Sequence, residues 1–193
     1  MNLKDVNYAK DCLINKIKSL ENDYKRAYFN LNQYKIQPSP FPILMFTMSV
    51  LDFLSALLKG WSESSPKMKK FQTNRMIDFC VINLGYGQTE SNVLVKVHRH
   101  SLMHTSDPRI MRDEKGRLYS WRIMPINSNH MRLNPINNTR VQVNILDVGI
   151  GNLINDLKMY LIKRDGYFES LDNDTQIQSN YAQCLQELDC QTI

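Results

Sequence analysis

The chain has 193 residues, of which 42% are hydrophobic and 22% charged; these are the proportions of a soluble globule, and the length suits one domain that buries a core without covalent staples. Seven glycines argue against an all-β fold, and the four cysteines, Cys12, Cys80, Cys184 and Cys190, show no Cys-x-x-Cys spacing, so they read as reduced thiols of a cytoplasmic protein and exclude a zinc finger. The net charge of +5 is uneven: residues 1–60 carry +3, residues 61–140 carry +7 from thirteen Lys/Arg against six Asp/Glu, and residues 141–193 carry −5 from three against eight, which steers an anionic ligand to the middle third.

No signal peptide is expected, because Met1–Asp5 runs into charged amphipathic sequence. Val6, Leu13, Ile17, Leu20, Tyr24, Ala27 and Leu31 recur at threes and fours and predict one helix over 3–35. The proline-rich stretch Gln37-Pro38-Ser39-Pro40-Phe41-Pro42 stops it. A second helix, about 43–59, is apolar on most faces. Asp52 in its middle and its borderline length mark it as a core helix and not a membrane span. A third helix, about 67–84, is expected to bury Met68, Phe71, Met76, Phe79 and Ile82, and to stop at Gly85-Tyr86-Gly87. A fourth, about 89–105, can be capped by Thr89 or Ser91. The period then changes. Arg117–Ile123, a short piece at His130–Leu133, and Thr139–Ile145 with Val141, Val143 and Ile145 on one face predict a small antiparallel ribbon. A helix over about 151–165 follows. The acidic stretch from Ser170 is polar enough to be partly loose, with one further helix near 178–188.

Three of the four histidines fall in Val97-His98-Arg99-His100-Ser101-Leu102-Met103-His104. In a helix, Val93, Val97, His100 and His104 share one face, with Arg99 beside it. Imidazole changes protonation near neutral pH and guanidinium forks onto phosphate. Metal-free RNA cleavage needs such groups: a base for the 2′-hydroxyl, an acid for the leaving oxygen and a cation on the phosphorane.

Arg99-His100-Ser101-Leu102-Met103-His104 resembles the signature of the HEPN superfamily (higher eukaryotes and prokaryotes nucleotide-binding domains): an Arg, four to six residues and a His, with a polar residue after the Arg. The resemblance covers residues 3–110 and the helix at 151–165. It implies a mainly α fold, a bundle of four to five helices, with the small antiparallel β-ribbon inserted before the last main helix. It also implies catalytic Arg99 and His104, with His100 orienting them, and a homodimer that brings two such sets to one cleft. Residues 1–170 would form this domain, with the ribbon at about 117–146, and 171–193 an acidic polar tail.

Other readings of the cluster stand beside this one. His100 and His104, four apart, have zinc-ligand spacing, but a third ligand would have to come from His130 or Asp107, so no metal or cofactor is assigned. The histidines could instead bond core carbonyls, with Arg99 paired to Asp78 or Asp52. As a non-catalytic module, the chain would hold a nucleotide, an anion or a partner protein such as a cognate antitoxin. In the ribbon, Arg117, Arg122, Arg132 and Arg140 with Tyr119 and Trp121 supply cations and stacking surfaces suited to RNA.

Overall fold

Val6, Ala9, Leu13, Ile17, Leu20 and Tyr24 step by three and four along helix α1 (Leu3–Phe29), and all six are buried, as a one-faced helix requires. The computed structural model describes residues 3–29, 40–60, 68–97, 110–125, 128–138 and 141–189; the turns expected for this helix as far as residue 35 lie outside them. Helix α2 (Phe41–Lys59) has Pro42 in its first turn, where no helical bond needs its N–H, and stops at Gly60, φ +80°. Its hydroxyls bond within the helix: Thr47 donates to the Ile43 carbonyl and Ser49 to that of Met45. Asp52 accepts from Arg75 Nη2 at 2.8 Å. By length and composition α2 is a candidate membrane span, and half of its apolar window is buried inside the fold.

Helix α3 (Met68–Ile82) packs through Met76, Ile77, Phe79 and Cys80. Phe71 and Ile82, expected in the core, are 45% and 71% exposed, because they lie across the helix from that stripe. Helix α4 (Gln88–Val97) buries Val93, Leu94, Val95 and Val97. Ser91 does not cap it; the residue sits inside the helix, fully buried, and its N–H donates to the Gly87 carbonyl.

The β region departs furthest from expectation. It is a four-stranded mixed sheet, not an antiparallel ribbon: β1 (Met111–Arg112), β2 (Leu118–Met124), β3 (Arg132–Asn138) and β4 (Val141–Gly149), in the order β1-β2-β4-β3. β4 runs parallel to β2 and antiparallel to β3. The cause lies in the connection after β2, which crosses the end of β4 and leaves β3 on the far edge. That crossing is pinned on both sides. The Pro125 carbonyl accepts from the Tyr24 hydroxyl at 2.9 Å and from Gly151 N–H at 2.9 Å, and Met131 N–H donates to the Asp147 carbonyl at 2.8 Å. A Cβ on Gly151 would come within 2.6 Å of that tyrosine hydroxyl, so the close approach needs glycine. The faces are also exchanged. Leu146 and Val148 share the buried side with Trp121 and Tyr119, whereas Val143 and Ile145 sit half-buried on the opposite face. Pro135 lies on the edge strand β3, the position a sheet tolerates for proline.

β4 leads directly into α5 (Ile150–Ile162), which buries Ile150, Leu153, Ile154, Leu157, Tyr160 and Leu161. The helix expected near 178–188 is present and begins earlier, and the described residues from Ser170 that were expected to be loose are mostly helical. Helices α6 (Tyr167–Asn173) and α7 (Thr175–Asp189) bury Tyr167, Leu171, Tyr181 and Cys184. The Asn180 amide ties α7 to α2 through the Leu58 carbonyl at 2.7 Å. Four well-spaced apolar residues outweigh the acidic composition that suggested a tail. The described fold is thus mainly helical with one small mixed sheet, and Cys12, Cys80 and Cys184 are not joined in disulfides.

Candidate nucleic-acid interface

Asp113 organises the turn between β1 and β2. Its Oδ1 accepts the N–H groups of Lys115 at 3.0 Å and Arg117 at 2.8 Å, and its Oδ2 accepts Arg117 Nε at 2.7 Å. An aspartate that bonds forward to its own backbone is a strong turn former, and Gly116 supplies the φ of +78° that closes the loop. The Tyr119 hydroxyl also reaches Asp113 Oδ2, at 3.4 Å. Burial alone would raise the Asp113 carboxyl, but the bonds from Arg117 and Lys115 outweigh it and hold it below its ordinary value. The spacing of Asp113 to Lys115 and Arg117, two and four residues on, is the sequence signal for this turn.

This turn faces the first turns of α4 across an open groove made of two adjoining hollows of about 690 and 380 Å³. Arg112, Lys115, Arg117 and Tyr119 line both, and Lys96 the smaller. Arg117 lies 5.8 Å over the Tyr119 ring, so its guanidinium is held from the side by Asp113 and from below by the aromatic face. Among the described residues, Lys96, Arg112 and Lys115 have no carboxylate partner within ion-pair distance.

Of the six residues read as suited to RNA, the five that are described are not brought together. Arg117 and Tyr119 are at the groove. Trp121 is 4% exposed and faces the helices, with no partner for Nε1 among the described residues; as placed, its ring offers no face to a base. Arg122 and Arg132 are on the opposite side of the sheet. There Arg122 grips the fully buried Asp147 through Nε at 2.7 Å and Nη2 at 2.9 Å, while Asn134 donates to Asp147 Oδ2 at 2.7 Å. Arg132 is in register with Asp147 on the next strand and exposed. The catalytic set, Arg99, His100 and His104, lies outside the described residues, as do His98, Asp107 and Arg140. Both carboxylates considered as interior partners for Arg99 hold other cations: Asp52 holds Arg75, and Asp78 lies 3.7 Å from Lys59.

His130, considered as a third zinc ligand, is committed elsewhere. Gly149 N–H donates to its Nδ1 at 3.1 Å, so the ring proton sits on Nε2. Nε2 faces the Tyr86 hydroxyl at 3.0 Å, and that hydroxyl donates to Asp156 Oδ2 at 2.6 Å. Burial raises the Tyr86 phenol, with Asp156 adding to the effect. Burial pushes Asp156 upward too, but the bonds from His130, Tyr86 and Asn155 prevail and hold it below its ordinary range. With both ring nitrogens occupied, this trio is a latch between the crossing segment, the α3–α4 loop and α5, and sequence patterning gave no sign of it. Among the described residues, no three His, Cys, Asp or Glu side chains gather as a metal site would require. No family model, curated protein or solved structure matches the chain.

Proposed function

We propose that the chain is a HEPN-like, metal-independent endoribonuclease, or a nuclease-derived relative, that acts on RNA as a homodimer. One observation carries this reading. Lys96, three residues before Arg99, and Met111, seven residues after His104, line the same hollow. Described residues on both sides of the segment bearing the Arg-x4-His pattern therefore line this groove, where Glu90, Asp113 and Glu114 are also present but Lys96, Arg112 and Lys115 have no ion-pair carboxylate among the described residues. In the proposed reaction His104 moves the proton between the 2′-hydroxyl and the leaving oxygen, Arg99 neutralises the phosphorane, and His100 orients them. Lys96, Arg112 and Lys115 would hold flanking phosphates.

The test is cleavage of mixed single-stranded RNA by purified protein in EDTA. Cleavage that resists the chelator and falls by about a hundredfold or more in Arg99→Ala and in His104→Ala supports the reading. Cleavage abolished by EDTA would redirect it to a metal site. An uncleaving protein that still dimerises and binds RNA or a partner protein would be the non-catalytic module, and a monomer in size exclusion would count against the two-fold cleft.

A further inference from the structure

One amide in the groove has its orientation fixed by the backbone. Asn144 Nδ2 donates to the Leu118 carbonyl at 3.2 Å, across the β2–β4 pair. A carbonyl can only accept, so this bond decides which end of the amide carries the nitrogen. Oδ1 is left as the other end, with no donor to it among the described residues. Asn144 lines the larger hollow together with Arg117 and Tyr119. Asn92, on the wall of the smaller hollow, is oriented likewise: its Nδ2 donates to the Gln88 carbonyl at 2.7 Å. These two amides thus offer acceptors to a groove that also holds the Gln142 amide, the Glu90 carboxylate and the cations Arg112, Lys115 and Arg117.

On the RNA reading above, we propose that Asn144 makes the groove selective for single-stranded RNA bases that carry an exocyclic amino group. Oδ1 would accept from that group while the base lies against the Arg117 guanidinium. Cytosine and uracil separate the idea cleanly, because one ring position presents an N4 amino donor in the first and an O4 acceptor in the second. Uracil would set acceptor against acceptor and leave both without a partner, whereas cytosine completes the bond.

The test measures binding, not turnover. Fluorescence anisotropy of the full chain in EDTA would compare short 2′-O-methyl oligocytidine and oligouridine, which lack the 2′-hydroxyl nucleophile and survive a nuclease. Cytidine is expected to bind about tenfold tighter. In Asn144→Ala the ratio falls to about one while uridine affinity holds; a thermal melt of the variant reports its folding. Equal affinity of the unaltered chain for the two oligonucleotides, or preference for uridine, overturns the proposal and leaves the RNA reading intact; that comparison needs no variant. A preference that survives in folded Asn144→Ala removes the role of Asn144. No binding of either oligonucleotide at low salt overturns both this proposal and the RNA reading.

Discussion

Where β2 and β4 end, His130, Tyr86, Asp156 and Asp147 bond to one another, to side chains beside them or to the backbone. Where those strands begin, Lys96, Arg112 and Lys115 face a groove without carboxylate partners among the described residues. Both ends are rich in polar groups and both hold internal bonds, Asp113 with Arg117 at the second, but only the second carries cations without carboxylate partners among the described residues. Buried polar groups with partners fix one conformation, whereas exposed cations without partners add little to stability and remain free for a ligand. On the proposed function, one end is scaffold and the other is where RNA would be recognised.

The strongest way to break this division is at the latch. His130→Ala removes the acceptor for Gly149 N–H and leaves the Tyr86 hydroxyl with one partner fewer. Urea unfolding should show a loss of about 2–3 kcal/mol. The double variant Arg112→Ala/Lys115→Ala should unfold within about 0.5 kcal/mol of the parent, yet bind single-stranded RNA at least about tenfold more weakly. Its log–log salt slope should be shallower by about 1.4, the value for two lost phosphate contacts. If the double variant proves as unstable as His130→Ala, the two ends do not divide the work this way.

The same contrast explains what could be read in advance. Helices α1 and α5 were legible because their apolar residues recur at helical spacing and face one side, and α2 because it is apolar on most faces between prolines and a glycine. α7 was only half legible, since Tyr181 and Cys184 are sparse among polar neighbours, although both are buried. The sheet order was not legible: a strand inserted between two earlier ones leaves no local trace, and it depends on contacts from Tyr24, Tyr86 and Gly151, far apart in sequence. Val143 and Ile145 share one face as expected, but burial follows the other register through Leu146 and Val148, the face shared with Trp121, while Asp147 on the opposite face is covered by Arg122 and Asn134. At the candidate interface, Arg117 and Tyr119 were found by residue type. Tyr119 and Trp121 share one strand face and are both 4% exposed; only Tyr119, next to the Asp113 turn, reaches the groove, and residue type does not reveal that position along the strand.

A smaller effect sharpens the comparison through pH. Each end holds a carboxyl whose value is below the ordinary 3.8: Asp156 at the latch and Asp113 at the turn. For a lowered carboxyl, the stabilisation is complete above the ordinary value. It fades as pH falls below that value, because the unfolded chain takes up its proton first, and it is gone once the folded carboxyl is protonated. Asp156→Asn should therefore be less stable than the parent at neutral pH, with the gap closing as the pH is lowered through about 4 and below. Asp113→Asn should show no resolvable gap at any pH. Its carboxyl is at the surface, where solvent screens the charge, and asparagine keeps the Oδ1 acceptor for the Lys115 and Arg117 N–H groups. Urea midpoints measured from pH 7 to 3 decide the point. A pH-dependent gap in Asp113→Asn as large as that in Asp156→Asn would make the turn as structural as the latch, and Arg117 would then serve the fold before it serves any ligand.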